Sequence, residues 1–463
     1  MRLLSALAAL VVAVLALLAP ALWNAYPITF HDTGGYIAQF SEPVPANGRA
    51  SPYGLFLLGL KLNLHFWPAI VAQSLIVIAL IAETGRSLLA LRGAGLALFT
   101  GAVTVLLVLV TGIAWYSAQL LPDILAPSAV LALFLLIEGR QRRGLAGQVS
   151  LGLVIAFAAA THTGTVALLL GLVLGTALVM ALAALFRASR AWGRRRMGAL
   201  GAGLLALALG ALAVPVTNKI AFDQFRFTPG GDVFLFGRLV QDGIASRYLA
   251  DHCPDATLKL CDYQAALYEP DGRQMGNDSF LWWGGSPLYK IGGWDEAGPE
   301  LARITRDSLL LYPDLHLKAA WHSFARQIFL IGTGDGLNDT HWHTRWVFEK
   351  YFPEELAPFD AAFQRSGAIP FDSLDMVNIP VGLGAMALLP LIVALFFALR
   401  LPGPARFAAF VGVALVGNAF ICGVLSNPHD RYESRLVWLA VLAVVVAGLA
   451  LVRRDKLTIN QFD

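Results

Sequence analysis

Three short motifs place charged side chains next to long apolar segments, where charge is costly to bury and usually marks function. They are the segment 30–36 (FHDTGGY), the dipeptide Pro122-Asp123 and the segment 429–435 (HDRYESR). A carboxylate such as Asp32 or Asp123 can act as a general base toward a hydroxyl group, or can ligate a divalent cation. The structural alternative is that either acid only caps the N-terminus of a helix.

The third motif adds positive charge to this set. Arg431 and Arg435 are four residues apart and would share one helix face, and guanidinium groups suit paired hydrogen bonds to a phosphate. The alternative is that they pair with neighbouring acids and anchor the helix at the membrane surface. Further candidates for substrate contact are polar and aromatic residues in or near these motifs, and one histidine in a break between two apolar runs: His31, Tyr36, His162 and Tyr432.

Two cysteines and a closely spaced pair of histidines lie in the more polar part of the chain, residues 219–375. Cys253 and Cys261 are separated by a short loop, and such a pair in an oxidising compartment predicts a disulfide, with two free thiols as the alternative. His341 and His343 fit one face of a strand, or a loop, and lack the spacing of a helical metal-binding pair. They are a weak indication of a metal site.

The composition of the chain predicts which kind of secondary structure holds the motif side chains in place. Of 463 residues, 57% are apolar and 14% are charged, against about a quarter charged in soluble proteins, and the mean hydropathy is +0.64. This excludes a soluble multidomain enzyme and predicts an all-α polytopic membrane protein. About ten apolar runs are long enough to be transmembrane helices: 3–23, 67–84, 94–114, 120–137, 149–161, 164–186, 197–216, 381–399, 407–425 and 436–452.

The charges divide the chain into three parts. Residues 219–375 contain 14 basic and 22 acidic residues, and the rest of the chain contains 20 basic and 9 acidic. We therefore expect an N-terminal transmembrane module (1–217, about seven spans), whose first outer loop (24–66) carries interfacial helices. An extracytoplasmic insert of mixed, partly helical structure (218–378) and a C-terminal transmembrane module of about three spans (379–463) follow. The insert has no basic patch interleaved with aromatic residues, so no nucleic acid is expected as a partner.

The positions of lysine and arginine predict the orientation in the membrane. In a ten-span arrangement most basic residues outside the insert fall on one side, which by the positive-inside rule is the cytoplasm: Arg2, Arg86, Arg92, Arg140, Arg142, Arg143, Arg187, Arg190, Arg194, Arg195, Arg196, Arg400, Arg406, Arg453, Arg454 and Lys456. Both termini would then be cytoplasmic, and the three motifs and the insert would face the periplasm or exterior. The alternation needs the first apolar run as a span, so we interpret it as a span and not as a cleaved signal.

These residues, in this order, resemble the membrane-embedded GT-C glycosyltransferases that use polyprenyl-phosphate sugars. The resemblance covers the layout of most of the chain: a cytoplasmic start, one span, a long first outer loop with an aspartate directly after the span, and a second outer loop with another acid. It implies Asp32 as catalytic base or metal-associated carboxylate, Asp123 as the second acid, and Arg435, then Arg431, as the arginine near the donor phosphate. The acid that often stands beside the catalytic aspartate is replaced by His31 and Thr33, which leaves metal dependence open.

The resemblance implies an enzyme that moves a sugar from a polyprenyl-phosphate donor to a lipid, glycan or protein acceptor in the cell envelope. Membrane lipids would be further partners, and no organic cofactor is expected. Two alternatives stay open. One is a lipid-linked transporter or flippase without chemistry, and the other is an outer-face acyltransferase with His31 or His162 as base.

Overall fold

The computed structural model describes residues 2–42, 44–139, 144–185 and 190–454. Within them the protein is all-helical, without a β-strand, and nine helices are long and apolar enough to cross a membrane. A polytopic α-helical membrane protein is therefore confirmed. Several residues that predict the orientation lie outside the described residues: Arg140, Arg142, Arg143, Arg187 and Lys456.

The N-terminal part holds ten helices. In chain order they are α1 (Arg2–Asn24), α2 (His31–Ala38), α3 (Ser51–Lys61), α4 (Trp67–Leu88), α5 (Gly93–Val110), α6 (Ile113–Ser117), α7 (Leu125–Gly139), α8 (Leu145–Thr161), α9 (Thr163–Leu185) and α10 (Arg190–Phe222). Spanning length and apolar character belong to α1, α4, α5, α9, α10 and to α7 with the 3-10 turn before it. The short helices α2 and α3 lie in the loop between α1 and α4.

The segment from residue 223 to residue 370 lies between two spanning helices and is also helical. Its helices are α11 (Gly231–Gln241), α12 (Ile244–His252), α13 (Asn277–Trp282), α14 (Pro287–Lys290), α15 (Gly293–Glu296), α16 (Gly298–Leu311), α17 (Pro313–Gln327), α18 (Trp342–Tyr351) and α19 (Pro353–Ala361). We call this segment the insert. The insert side is the end of the spanning helices from which the insert projects. The expectation of mixed structure is wrong for the insert: glycines and short four- to six-residue helices interrupt its periodicity, but they do not produce strands.

The insert has two parts that pack differently. Residues of α11, α12, α13 and α16 surround a separate small hydrophobic core that includes Phe236, Tyr248 and Phe280. The part that follows α17 instead joins the core of the membrane body, to which it contributes Phe348 and Phe359. The second part therefore forms a fixed wall beside the loop between α1 and α4.

Three further spans complete the protein: α20 (Phe371–Ala398), α21 (Pro402–Leu425) and α22 (Arg431–Val452). The helices α7 and α22 lie deepest in the bundle, because they are apolar around almost their whole circumference. In these two helices, the charged side chains on the insert side lie in the first turns of α22 and in the turn just before α7. These two buried ends are the places where a charged site can form.

The helix α8 accounts for the difference between the ten predicted spans and the nine long helices. Its 17 residues rise about 25 Å at 1.5 Å per residue, the lower limit for crossing the hydrocarbon core. It packs along α7 and ends at His162, on which the charge of Asp123 at the start of α7 acts. The two helices are thus antiparallel and of similar length, so α8 returns the chain to the insert side.

Candidate functional site

The first motif folds into α2, which is fixed on two sides. Before it, Ile28 donates a backbone hydrogen bond to Ala118 (2.9 Å) and accepts one from Leu120 (2.8 Å), which holds this segment beside the turn that carries Asp123. Phe30 and not Asp32 is the N-cap residue of α2. The aspartate side chain is therefore not used as a cap, and it points to other partners.

The two glycines of the first motif allow close approaches to α2. A Cβ atom at Gly34 would lie 2.8 Å from the backbone Cα of Thr344 in α18, and a Cβ at Gly35 would lie 2.5 Å from the Cδ of Arg49. Real Cβ contacts do not come so close, so each position needs a residue without a side chain. Gly34 brings the insert wall against α2, and Gly35 leaves room for an arginine over the helix.

Asp32 lies between two arginines that come from distant parts of the chain. Its Oδ1 accepts a hydrogen bond from Nη2 of Arg49 (2.5 Å), and its Oδ2 lies 3.6 Å from Nη2 of Arg431. The three side chains are 16% to 27% exposed, so solvent reaches the cluster. We call these three residues the acidic-arginine cluster.

The environment of Asp32 keeps its carboxylate ionised. Burial acts to raise the pKa of Asp32, but the charges of Arg49 and Arg431 outweigh burial and lower it to about 2. At neutral pH the group is therefore an anion held by two cations. It is a weak base while both arginines stay in place.

A second pair lies one helical turn further along α22. Nη1 of Arg435 donates a hydrogen bond of 2.6 Å to Oδ1 of Asp123, and the two residues are 1% and 6% exposed. Its other amino group, Nη2, is 3.5 Å from Oδ1 of Asn418 and 3.7 Å from the Cys422 sulfur. Arg435 is thus enclosed by protein atoms and does not face a cavity.

Several buried polar atoms around this pair have no partner. Among the described residues they include Nε of Arg435, Nη1 of Arg431, Oε1 of Glu433 and Nδ1 of His162. The charges of Arg435 and Arg431, and those of Asp123 and Asp32, act on His162. This places the histidine close to these four charged residues. Such unsatisfied groups fit a site that water or a ligand completes.

A pocket opens beside the acidic-arginine cluster. It is small, and its lining includes Arg431, Asp335, Tyr116 and the Phe30 ring. The guanidinium of Arg431 lies 4.5 Å from the centroid of the Phe30 ring, and its Nη2 is 3.4 Å from the Tyr432 hydroxyl. Of the five charged residues in the acidic-arginine cluster and the Asp123–Arg435 pair, Arg431 is the one that lines this pocket.

The helix α13 reaches the Arg49 side of the cluster. Trp282, at its end, lies under the Arg49 guanidinium at 5.6 Å and forms an aromatic group with Phe234 and Trp294. Nearly half of the Trp282 residue is exposed. An exposed aromatic surface therefore adjoins Arg49 at the edge of the site.

His429 connects the insert to the start of α22. Its Nε2 is 3.4 Å from Oδ2 of Asp278 in α13, and its Nδ1 is 3.3 Å from Oδ2 of Asp335. The hydrogen bonds to Asp278 and then to Asp335 raise the pKa of His429 to about 10. At neutral pH the imidazole is therefore a cation between two carboxylates.

We predict that His429→Gln lowers the melting temperature at pH 6 by a few degrees. Because folding raises this pKa from about 6.5 to about 10, the contribution to stability is full below pH 6.5 and is lost as the pH rises toward 10. Thermal unfolding of the purified protein at several pH values measures this. His316→Gln is the control, since His316 pairs with the Ser308 hydroxyl instead of a carboxylate. An equal fall in stability from pH 6.5 to 10 in wild type and His429→Gln would refute the assignment.

The other candidates from the sequence lie around the cluster. His31 donates a hydrogen bond from Nε2 to Oδ2 of Asp339 (2.6 Å), a residue of the insert wall, and does not contact Asp32 through its ring nitrogens. Tyr36 is buried against Tyr53 beneath the cluster. Tyr432 contacts Arg431 and so lies at the pocket side.

Two of the three cysteines pair with each other in the insert, and the third lies beside Arg435. Cys253 and Cys261 form a disulfide with an S–S distance of 2.05 Å, at the end of α12 and in the 3-10 segment after it. The free Cys422 is buried beside Arg435. His341 lies before α18 as its N-cap residue and His343 lies inside that helix, so neither histidine is on a strand, and the loop interpretation holds for His341 alone. The described residues hold no group of three or more histidines, cysteines or acids that could bind a metal ion.

Two functional residues were missed by the sequence reasoning. Arg49 was one of only four basic residues on the insert side outside the insert, and that scarcity was the available signal. Asp335 lies in a glycine-rich loop of the insert, where Gly334 and Gly336 have positive φ angles. The loop has no periodicity, and a single acid in it gave no signal.

No protein-family model, curated protein or solved structure matches this chain.

Proposed function

We propose that this protein is a membrane glycosyltransferase that moves a sugar from a polyprenyl-phosphate donor to an acceptor hydroxyl. One observation carries the proposal: Asp32, Arg49 and Arg431, from three separate elements, converge beside a pocket at the ends of the spans. A lipid-linked phosphate presents its charge at this depth while its tail remains among apolar helices. The two arginines can bind a phosphate, and the carboxylate between them can accept a proton.

The proposed reaction uses each member of the cluster. The acceptor oxygen attacks the anomeric carbon, the bond from that carbon to the phosphate oxygen breaks, and the polyprenyl phosphate leaves with the bonding electron pair. The hydroxyl proton passes to the Asp32 carboxylate. Arg431 and Arg49 stabilise the charge that develops on the leaving phosphate. Arg435 acts through Asp123, which it holds in place, and is a positioning residue.

Donor binding would also change the basicity of Asp32. In the free protein the two arginines lower its pKa to about 2 against the opposing effect of burial. A phosphate that draws Arg431 away removes part of that effect, while burial remains. The pKa of Asp32 then rises, and the base becomes effective only when the donor is present.

Activation of Asp32 by the bound donor predicts that kcat and kcat/KM begin to fall at different acidic pH values. The profile of kcat/KM for the donor reports groups of the free enzyme, and that of kcat reports the bound complex. Because Asp32 must be deprotonated, activity falls as the pH drops through its pKa. We expect the acid limb of kcat at higher pH than that of kcat/KM, measured by initial rates between pH 4 and 8. Acid limbs at the same pH for both parameters would contradict donor-induced activation.

The membrane orientation is part of the proposal. The positive-inside bias supports cytoplasmic termini, with the insert side facing the periplasm of an inner or plasma membrane. The geometry of α8 supports ten crossings, which return the C-terminus to the side of the N-terminus. The acceptor surface, with Trp282 and its aromatic neighbours, would then meet envelope lipids or glycans. Aromatic rings of this kind stack on sugar faces.

A transfer assay tests the proposal. Purified protein in vesicles is given undecaprenyl phosphate carrying radiolabelled glucose, galactose or mannose, together with host membranes as acceptor. We expect label to move from one of these donors to an acceptor, with release of undecaprenyl phosphate. A protein that moves label only from acyl donors would refute the proposal and favour the acyltransferase.

The contact between His31 and Asp339 is the observation that favours the acyltransferase as second candidate. A histidine oriented by a carboxylate at 2.6 Å is the arrangement of many acyl-transfer bases. In that reaction His31→Ala would abolish acyl transfer. In the sugar transferase the same change would leave the phosphate clamp in place.

A further inference from the structure

One helix of the insert has a face that neither the insert core nor the membrane body covers. In α17, Ser323 and Gln327 are buried, and Leu315 and Ala319 border the small insert core. The remaining face carries large apolar side chains that are mostly exposed: Leu317 (73%) and Trp321 (70%), with Leu310 (80%) before the helix and Phe329 (67%) after it.

The contacts of α17 place it at the level of a membrane boundary. A Cβ at Gly423 of α21 would lie 2.8 Å from the Gln327 Cβ and 2.9 Å from the Ser323 carbonyl oxygen, so the two helices touch directly. Phe324 is 6.4 Å from Phe420, a half-exposed residue of the spanning helix α21. Phe420 lies about 7 Å inside the end of that span at 1.5 Å per residue.

The apolar face of α17 is therefore continuous with the lipid-facing surface of α21. Val413, Val416 and Phe420 are exposed along α21, as expected for side chains in contact with lipid. Leu317, Trp321 and Phe324 follow at helical spacing on α17 and extend that surface. An aromatic residue such as Trp321 is favoured at the boundary between hydrocarbon and headgroups.

Basic side chains lie next to this face. Lys318, His322 and Arg326 are exposed and four residues apart, so they form one row along α17. Among the described residues, none of these three side chains has an ion-pair partner. Lys318 and Arg326 are thus two cations that border an apolar face, which is the pattern of helices that lie in the interface of an anionic membrane.

We propose that α17 is a binding site for anionic phospholipid headgroups in the leaflet on the insert side. The apolar face enters the boundary between headgroups and acyl chains, and Lys318, His322 and Arg326 bind the headgroup phosphates. This fixes the insert on the membrane surface beside the mouth of the site. It does not depend on the reaction that the site performs.

Environment-sensitive labels test the position of the helix. The full chain carries Leu317→Cys or, as the control, Asp271→Cys, which is exposed in a turn between α12 and α13, and each is labelled with NBD in vesicles of phosphatidylcholine and phosphatidylglycerol. We expect lipids with doxyl groups to quench the label at residue 317 and to leave the one at residue 271 unquenched. Equal, water-like emission at both positions would overturn the proposal.

The charged row is tested by neutralising it. Each cation near an anionic surface contributes roughly fivefold to binding, so Lys318→Gln with Arg326→Gln should weaken the preference for phosphatidylglycerol over phosphatidylcholine by at least about tenfold. Counting bound lipids by native mass spectrometry measures this. Lys259→Gln with Arg273→Gln, on the other part of the insert, is the control. An unchanged preference in the α17 variant, or an equal loss in both variants, would overturn the headgroup assignment.

Discussion

Replacing Asp32 with asparagine should lower kcat by roughly 10²–10⁴-fold, the usual contribution of a general base. The asparagine carbonyl can still accept the hydrogen bond from Arg49, so the loop should keep its fold. What is lost is the group that takes the acceptor proton. The measurement is the release of undecaprenyl phosphate by the purified variant, with its melting temperature followed in parallel.

Two further variants make this result specific. Asp255→Asn changes a partly exposed acid of the insert that belongs to neither the cluster nor the pocket lining, and it should leave the rate within about twofold, as expected for a surface substitution. Asp339→Asn removes the partner of His31 and should reduce the rate much less than Asp32→Asn. The reverse order of effects would indicate that His31 is the base and would remove Asp32 from the mechanism.

Breaking the buried pair of Asp123 and Arg435 should have the largest effect on stability. Either Asp123→Leu or Arg435→Met leaves one charge without its partner in an apolar environment, and such a change costs about 3–5 kcal/mol of unfolding free energy. Replacing both residues removes both charges, so the double variant should be more stable than either single variant. Reversible unfolding in detergent or bicelles measures the four proteins of this cycle.

The same cycle separates two roles of Arg435. If Arg435 is a positioning residue that acts through Asp123, it does not contact the donor. Replacing both residues should then cost little donor affinity. The Kd for undecaprenyl phosphate should therefore recover in the double variant along with stability. A double variant that is stable but no longer binds the donor would show that Arg435 contacts the phosphate itself.

The transmembrane architecture could be predicted because the signal for it is local. Each span is a continuous apolar run that must satisfy its own backbone hydrogen bonds in the membrane. The helices α16 and α17 were also predictable, since their apolar residues recur at helical spacing. By contrast, α13, α14 and α15 have four to six residues each, too few for a period to be recognised.

The sequence predicts which residues belong to the candidate site better than it predicts which of them contact each other. Charge at the ends of apolar runs identified Asp32, Asp123, Arg431 and Arg435 because such positions are costly. The partner of Asp32 could not be predicted, since Arg49 follows 17 residues later in a loop without periodicity. Arg431 and Arg435 are four residues apart, and this spacing does not distinguish them. The packing of α22 against α7 determines which of the two faces the pocket.

Equilibrium binding of undecaprenyl phosphate to wild type, Asp32→Asn and Arg431→Gln is the most direct measurement of the central claim. If the phosphate takes the place of Asp32 between Arg49 and Arg431, removing the carboxylate charge frees both arginines and should tighten binding. Arg431→Gln should weaken binding by at least about tenfold, the loss of one charge-assisted contact. Opposite shifts in the two variants are the predicted result. Equal Kd values for all three proteins would contradict the account.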